Sequence, residues 1–119
     1  MKNQVCGIYE IQNKINGKIY IGSSYNIDIR FANHLSRLKN NKHSNIHLQN
    51  AVNKYGLNSF TFSVIEECSK ENLINREQFH IDNNEWSNLY NKTKMAYGGG
   101  SDAVEVELYL LDLKGNIIN

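Results

Sequence analysis

The chain has 119 residues, a formal net charge of +1 and two cysteines, Cys6 and Cys68. That length fits one domain with a modest core and excludes two independent ones, and two cysteines so far apart, with no CxxC pair, argue against a disulfide framework or a cysteine-held metal. No apolar run approaches the roughly 18 residues of a membrane span and the opening "MKNQVCGIYE" has no signal-peptide core, so the expectation is a soluble intracellular protein with no membrane partner.

The first predicted elements are "CGIYEIQN" and "KIYIGSS", which alternate with a period of two around Asn16-Gly17, a dipeptide suited to a two-residue type I′ turn. In that hairpin Ile15 faces Lys18 and Tyr20 faces Asn13, so Tyr9, Ile11, Asn13, Tyr20 and Gly22 share one face of the sheet. Both phenols look the same way. Taken alone they are ordinary strand residues that pack a ring and wet a hydroxyl.

A helix follows from about Asn26 to Leu38, capped by Ser24 or Asn26, with Ile27, Phe31, Leu35 and Leu38 as its buried stripe. Arg30 and His34 lie one turn apart on the margin of that stripe, with Arg37 beyond. They are either boundary side chains that lay their stems on the core or a cationic fork able to hold a phosphate in two places. A second helix spans about Asn45 to Lys54, turns Ile46, Leu48, Ala51 and Val52 inward, and stops at Gly56. The third strand is "SFTFSVIEEC", with Phe60, Phe62 and Val64 alternating against Thr61, Ser63 and Ile65.

The last helix runs from about Lys70 to Asn84. Leu73, Ile74 and Ile81 define its apolar face, and Glu77 projects between them, while Arg76 points about 100° away. A carboxylate on a core face must find a cation, a metal or several donors, unless it reaches out to solvent. Charge is unevenly distributed. Between Tyr25 and Tyr55, Arg30, Arg37, Lys39, Lys42 and Lys54 face only Asp28, with His34, His43 and His47 interleaved; Glu66, Glu67, Glu71, Glu77, Asp82 and Glu85 gather in the next third. Solvated helix faces account for such runs. A phosphate-contacting surface has the same signature, and then Arg37, Lys39, Lys42 and His43 are the candidate DNA-binding residues.

In order and spacing, Gly7-Ile8-Tyr9, Tyr20-Ile21-Gly22, Arg30, His34, Glu77 and Tyr90-Asn91 resemble the GIY-YIG nuclease superfamily over about residues 6 to 97. The chain looks most like the N-terminal catalytic domains of phage and intron-encoded homing endonucleases, through "GSSYNIDIRFANHLSRL", "HSNIHLQNAVNKYG", "REQFHID" and "LYNKTKMAYGGG". Repair nucleases and some restriction enzymes share that core less closely. The resemblance implies an α/β (α+β) fold with a three-stranded antiparallel sheet flanked by helices. It implies hydrolysis of phosphodiesters in double-stranded DNA with a single divalent ion, Mg²⁺ or Mn²⁺, and no small-molecule cofactor.

By the same resemblance Glu77 is the metal ligand, Tyr9 the general base, and Arg30 the group that neutralises charge on the scissile phosphate. Tyr20 orients water or phosphate, His34 assists proton transfer or binds phosphate, and Asn91 positions a neighbour. Residues 1–97 form the expected catalytic domain. Residues 98–119 form a glycine-rich join and a strand-like tail, resembling the truncated start of a DNA-binding repeat, with target specificity then supplied elsewhere. The rival readings are a DNA-binding module without catalysis, in which Glu77 closes an ion pair with Arg30, and a plain structural domain.

Overall fold

A computed structural model describes residues 4–91, together with the backbone of 112–113 and 117–118. The expected boundary near residue 97 and the glycine-rich join lie outside the described residues. Elements follow in the order β1 (Gly7–Asn13), β2 (Ile19–Ser24), α1 (Ile27–Lys39), α2 (Ile46–Tyr55), β3 (Phe60–Glu67) and α3 (Leu73–Asp82), with single 3-10 turns at 57–59, 70–72 and 86–88. In the tail, β4 (Asp112–Leu113) pairs antiparallel with β5 (Ile117–Ile118).

The expected three-stranded antiparallel sheet is present, in the order β2-β1-β3. Because side chains alternate along β1, it feeds two cores. Tyr9 and Ile11 pack with Ile27, Leu38, Leu48, Val52 and Phe60, so α1 and α2 cover one face; Ile8 packs with Ile19, Ile21, Leu73 and Ile81, so α3 covers the other. Helices on both faces satisfy the apolar surface of a sheet this small. Cys6 and Cys68 are free thiols.

Several sequence expectations need correction. The hairpin pairs Tyr9 with Gly22 and Ile11 with Tyr20, one step earlier on each strand than a two-residue turn demands. Its loop is closed by Asn13 N–H to the Lys18 carbonyl at 2.9 Å and Gly17 N–H to the Asn13 carbonyl at 2.8 Å, with Gly17 at φ +79. The cause is Asn13, whose side-chain oxygen accepts from Ile15 N–H at 2.9 Å and ends the strand early. The register moved by two, so parity held and both phenols still share a face.

Helix α1 is turned about its axis. Ile27, His34 and Leu38 are its buried residues, whereas Leu35 is 38% exposed. His34 therefore belongs to the buried stripe, not to its margin. In α2 and α3 the expected core residues Ile46 and Ile74 are exposed; α3 starts at Leu73 and buries Leu73, Glu77 and Ile81 at i, i+4, i+8. In β3, Phe60 is buried but Val64 is exposed, on an edge strand whose register slips beside Ile8 and Tyr9.

The other edge strand, β2, is covered. Leu89 bridges Ile19 in parallel, Tyr90 N–H donates to the Ile19 carbonyl at 2.7 Å, and the Asn91 side chain pairs with both backbone groups of Ile21, at 2.9 and 2.8 Å. An amide here imitates one more residue of strand, which satisfies edge groups that would otherwise face solvent.

Candidate active site

The site is built around β2, from both of its faces. On the face covered by α1 and α2, Tyr9 points from β1 across Gly22. A Cβ on Gly22 would overlap the Tyr9 hydroxyl and lie 2.5 Å from its Cζ and 3.0 Å from its Cε1, so only glycine leaves room for the phenol. The Tyr9 hydroxyl lies 2.7 Å from His34 Nε2, and His34 Nδ1 lies 2.7 Å from His43 Nε2. His43 Nδ1 in turn accepts from the Asn45 backbone N–H at 3.0 Å. Tyr9 is 1%, His34 2% and His43 8% exposed, so this chain of groups is interior.

Burial above all, then the neighbouring His43 and the guanidiniums of Arg30 and Arg37, hold the His34 pKa well below the ordinary imidazole value of 6.5. The ring is neutral at physiological pH. Arg30 and Arg37, two turns apart on α1, thus sit within electrostatic reach of the Tyr9–His34 pair, each half-buried. Tyr20, also half-buried, sets its ring edge-to-face against His34 and His43, with centroids 5.6 and 6.3 Å away. The two phenols, which share a face of the sheet as expected, differ in depth: Tyr9 is the floor and Tyr20 the rim.

On the opposite face of β2, Glu77 comes up from α3. It is 7% exposed, and its Oε1 accepts from the Ser23 hydroxyl at 2.5 Å. Ser23 alternates with Gly22, so the carboxylate and the tyrosines reach one strand from its two sides. Its chain neighbour Arg76 is engaged elsewhere, donating to Glu66 Oε2 at 2.8 Å. Among the described residues no group of three or more His, Cys, Asp or Glu could cage a metal. A buried carboxylate with one oxygen oriented by a hydroxyl fits a hard cation that fills its other positions with water and phosphate oxygen.

The structure thus gathers Tyr9, Tyr20, Arg30 and His34 on one side of β2 and Glu77 on the other, while Asn91 pins Ile21 of the same strand. Of the expected DNA-contacting residues, Lys39 and Lys42 are exposed and Arg37 half-buried, but His43 is inside, stacked on His34 at a centroid distance of 4.9 Å. Its place in a basic run suggested a surface role; hydrogen bonding on both ring nitrogens is what carries it inward. Sequence reasoning missed Ser23 and Asn45, both polar and buried. Asn45 also caps α2 at Leu48 N–H, 3.0 Å away, a position that a helix-start signal does mark.

A model of the GIY-YIG catalytic domain matches residues 5–91. Intron-associated endonuclease 1 of Enterobacteria phage T4 is 39% identical over 95 residues, covering 77% of this chain and 38% of that protein. Probable intron-encoded endonuclease 1 of Neurospora crassa is 35% identical over 115 residues, covering 89% of this chain and 36% of that protein. The chain therefore spans less than two-fifths of the length of these relatives. Among solved structures, a mutant of the catalytic domain of intron endonuclease I-TevI superposes with a TM-score of 0.70 at 37% identity, over 79% of this chain and 99% of that one. A second structure of the same catalytic domain gives 0.68 at 38% identity, over 74% and 98%. The family match spans residues 5–91, which include every group placed around β2, and the chain belongs to the GIY-YIG family as a homing-endonuclease-like nuclease domain.

Proposed function

We propose that the domain hydrolyses phosphodiester bonds of double-stranded DNA with one divalent ion, Mg²⁺ or Mn²⁺, and that 1–97 is the catalytic unit and 98–119 a join to further DNA-binding sequence. The single observation behind this reading is the strand β2 with a buried carboxylate on one side and a neutral histidine–phenol pair on the other. Nucleases of this family depend on divalent metals. A bound ion would neutralise charge on the phosphate and the leaving oxygen, with Glu77 as its protein ligand and Ser23 orienting the carboxylate.

The remaining steps belong to the chain. Arg30 presents a planar fork to the phosphate as negative charge grows on it. Tyr20, at the rim, donates its hydroxyl to a phosphate oxygen or the attacking water. The water oxygen bonds to phosphorus, its proton passes to the Tyr9 oxygen in its phenolate form, and the bond from phosphorus to the sugar oxygen breaks, the departing oxygen taking a proton from solvent. Asn91 keeps β2 in place by holding Ile21. The reaction takes place at DNA inside a cell, in a phage or bacterial setting like that of the T4 relative.

The test is incubation with supercoiled plasmid, with Mg²⁺ or with chelator, for wild type and Glu77→Ala. Relaxed or linear product is expected only for wild type with metal. A folded wild-type protein that binds the plasmid and leaves it supercoiled overturns the reading in favour of a DNA-binding module without catalysis. Wild-type turnover by Glu77→Ala overturns the metal assignment.

A further inference from the structure

We infer that His43 is a positioning residue that fixes the tautomer of His34, so that His34 Nε2–H donates to the Tyr9 oxygen. The direction follows from one fixed donor. A backbone N–H cannot be an acceptor, so the Asn45 N–H, 3.0 Å from His43 Nδ1, requires a lone pair there. A neutral His43 then carries its hydrogen on Nε2 and donates it to His34 Nδ1, 2.7 Å away. His34 Nδ1 must in turn be bare. The neutral His34 ring, held neutral by burial, carries its hydrogen on Nε2, which meets the Tyr9 hydroxyl at 2.7 Å. Every hydrogen in the series points from α2 towards Tyr9.

Two consequences follow for Tyr9. A hydrogen bond donated to a phenol oxygen favours the phenolate over the phenol, opposing the effect of burial, and the Arg30 and Arg37 charges near His34 act in the same direction. In addition, His34 cannot take a proton from Tyr9 while His43 stays as it is, because a hydrogen on His34 Nδ1 would oppose the one on His43 Nε2. A proton leaving Tyr9 therefore goes to an acceptor other than His34, and Tyr9 takes the water proton only in its deprotonated form. The catalytic part of this inference rests on the nuclease reading; the tautomer does not.

Two substitutions divide the ring of His43 in half. In His43→Gln the amide nitrogen takes the place of Nε2 and still donates to His34, but nothing accepts from Asn45. In His43→Asn the amide oxygen takes the place of Nδ1 and still accepts from Asn45, but nothing donates to His34. Long-range ¹H–¹⁵N spectra of the imidazoles at neutral pH should show His34 protonated on Nε2 alone in wild type and His43→Gln, and a tautomer mixture in His43→Asn. Single-turnover cleavage at saturating DNA should stay near wild type for His43→Gln and fall by on the order of 10- to 100-fold for His43→Asn. A wild-type His34 carrying its hydrogen on Nδ1, or doubly protonated, overturns the inference whether or not the protein cuts DNA. Equal rates for the two variants, at equal melting temperatures, overturn the link from tautomer to catalysis.

Discussion

Tyr9 and Gly22 face one another across β1 and β2, and each explains the other. The phenol occupies the volume a Cβ would fill, so Gly22→Ala must push the ring away from His34 or distort the strand pair. Overpacking of this kind costs about 1–3 kcal/mol. We expect Gly22→Ala to fold with a lowered melting temperature and to lose cleavage far beyond that loss, because the hydroxyl is displaced; a variant as active as wild type would show that the hydroxyl position is immaterial. Tyr9→Phe separates the same two roles differently. It keeps the ring but leaves the buried His34 Nε2–H without its acceptor, which should cost about 1–3 kcal/mol. Single-turnover rates should fall by orders of magnitude, within the roughly 10²–10⁴-fold attached to acid–base groups. Tyr20→Phe, at the rim, should lose less of both. An active Tyr9→Phe enzyme would move the base to another group and leave this phenol as part of the floor.

At the scale of elements, α1 carries the electrostatics of the site into the stability of the fold. Unfolded His34 takes up a proton near pH 6.5, whereas folded His34 does so only well below that value. Between those limits the unfolded chain binds more protons, so stability rises with pH; it is fully present above 6.5 and falls as pH drops below it. One such group gives at most about 1.4 kcal/mol per pH unit. Glu66, held below its ordinary 4.5 mainly by hydrogen bonds from Arg76 and His80, works in a lower window and leaves this one clear. Urea unfolding between pH 7.5 and 5.5 should show the slope in wild type and a shallower one in His34→Gln; an unchanged slope would place the titration elsewhere.

The same helix shows what the sequence could and could not specify. Its existence, cap and the neighbourhood of Arg30 and His34 were legible from periodicity and Asn26. Its rotation was not, because a histidine scores as polar until a buried phenol and a second imidazole are there to satisfy it. Glu77 was found by the same reasoning in reverse: a carboxylate amid Leu73 and Ile81 is anomalous on its own helix, with no need of a partner. The parity of the hairpin was readable, but its register depended on the Asn13 side chain, which no alternation pattern encodes. His43 misled because a basic run describes a stretch of chain and not the direction of each side chain.

At the scale of the whole molecule, charge is split between the basic segment through α1 and the acidic third around β3 and α3. A net charge of +1 therefore hides a locally basic segment, and the exposed Lys39 and Lys42 continue it beyond Arg37 at the end of α1. Lysines of this kind neutralise phosphates without reading bases, so each one engaged should contribute about one unit to the slope of log affinity against log salt. We expect Lys39→Ala with Lys42→Ala to lower that slope by about two. The single-turnover rate at saturating DNA should remain unchanged, because neither lysine is among the groups around β2. A double variant with the wild-type slope would mean that DNA lies along another face of the domain, and one with a normal slope but a depressed chemical step would mean that the end of α1 supports the site itself. Because phosphate contacts of this kind carry no base information, the affinity measured for the domain should be salt-dependent and nearly independent of sequence. Strong preference for one sequence over competitor DNA would instead show that the domain reads bases by itself.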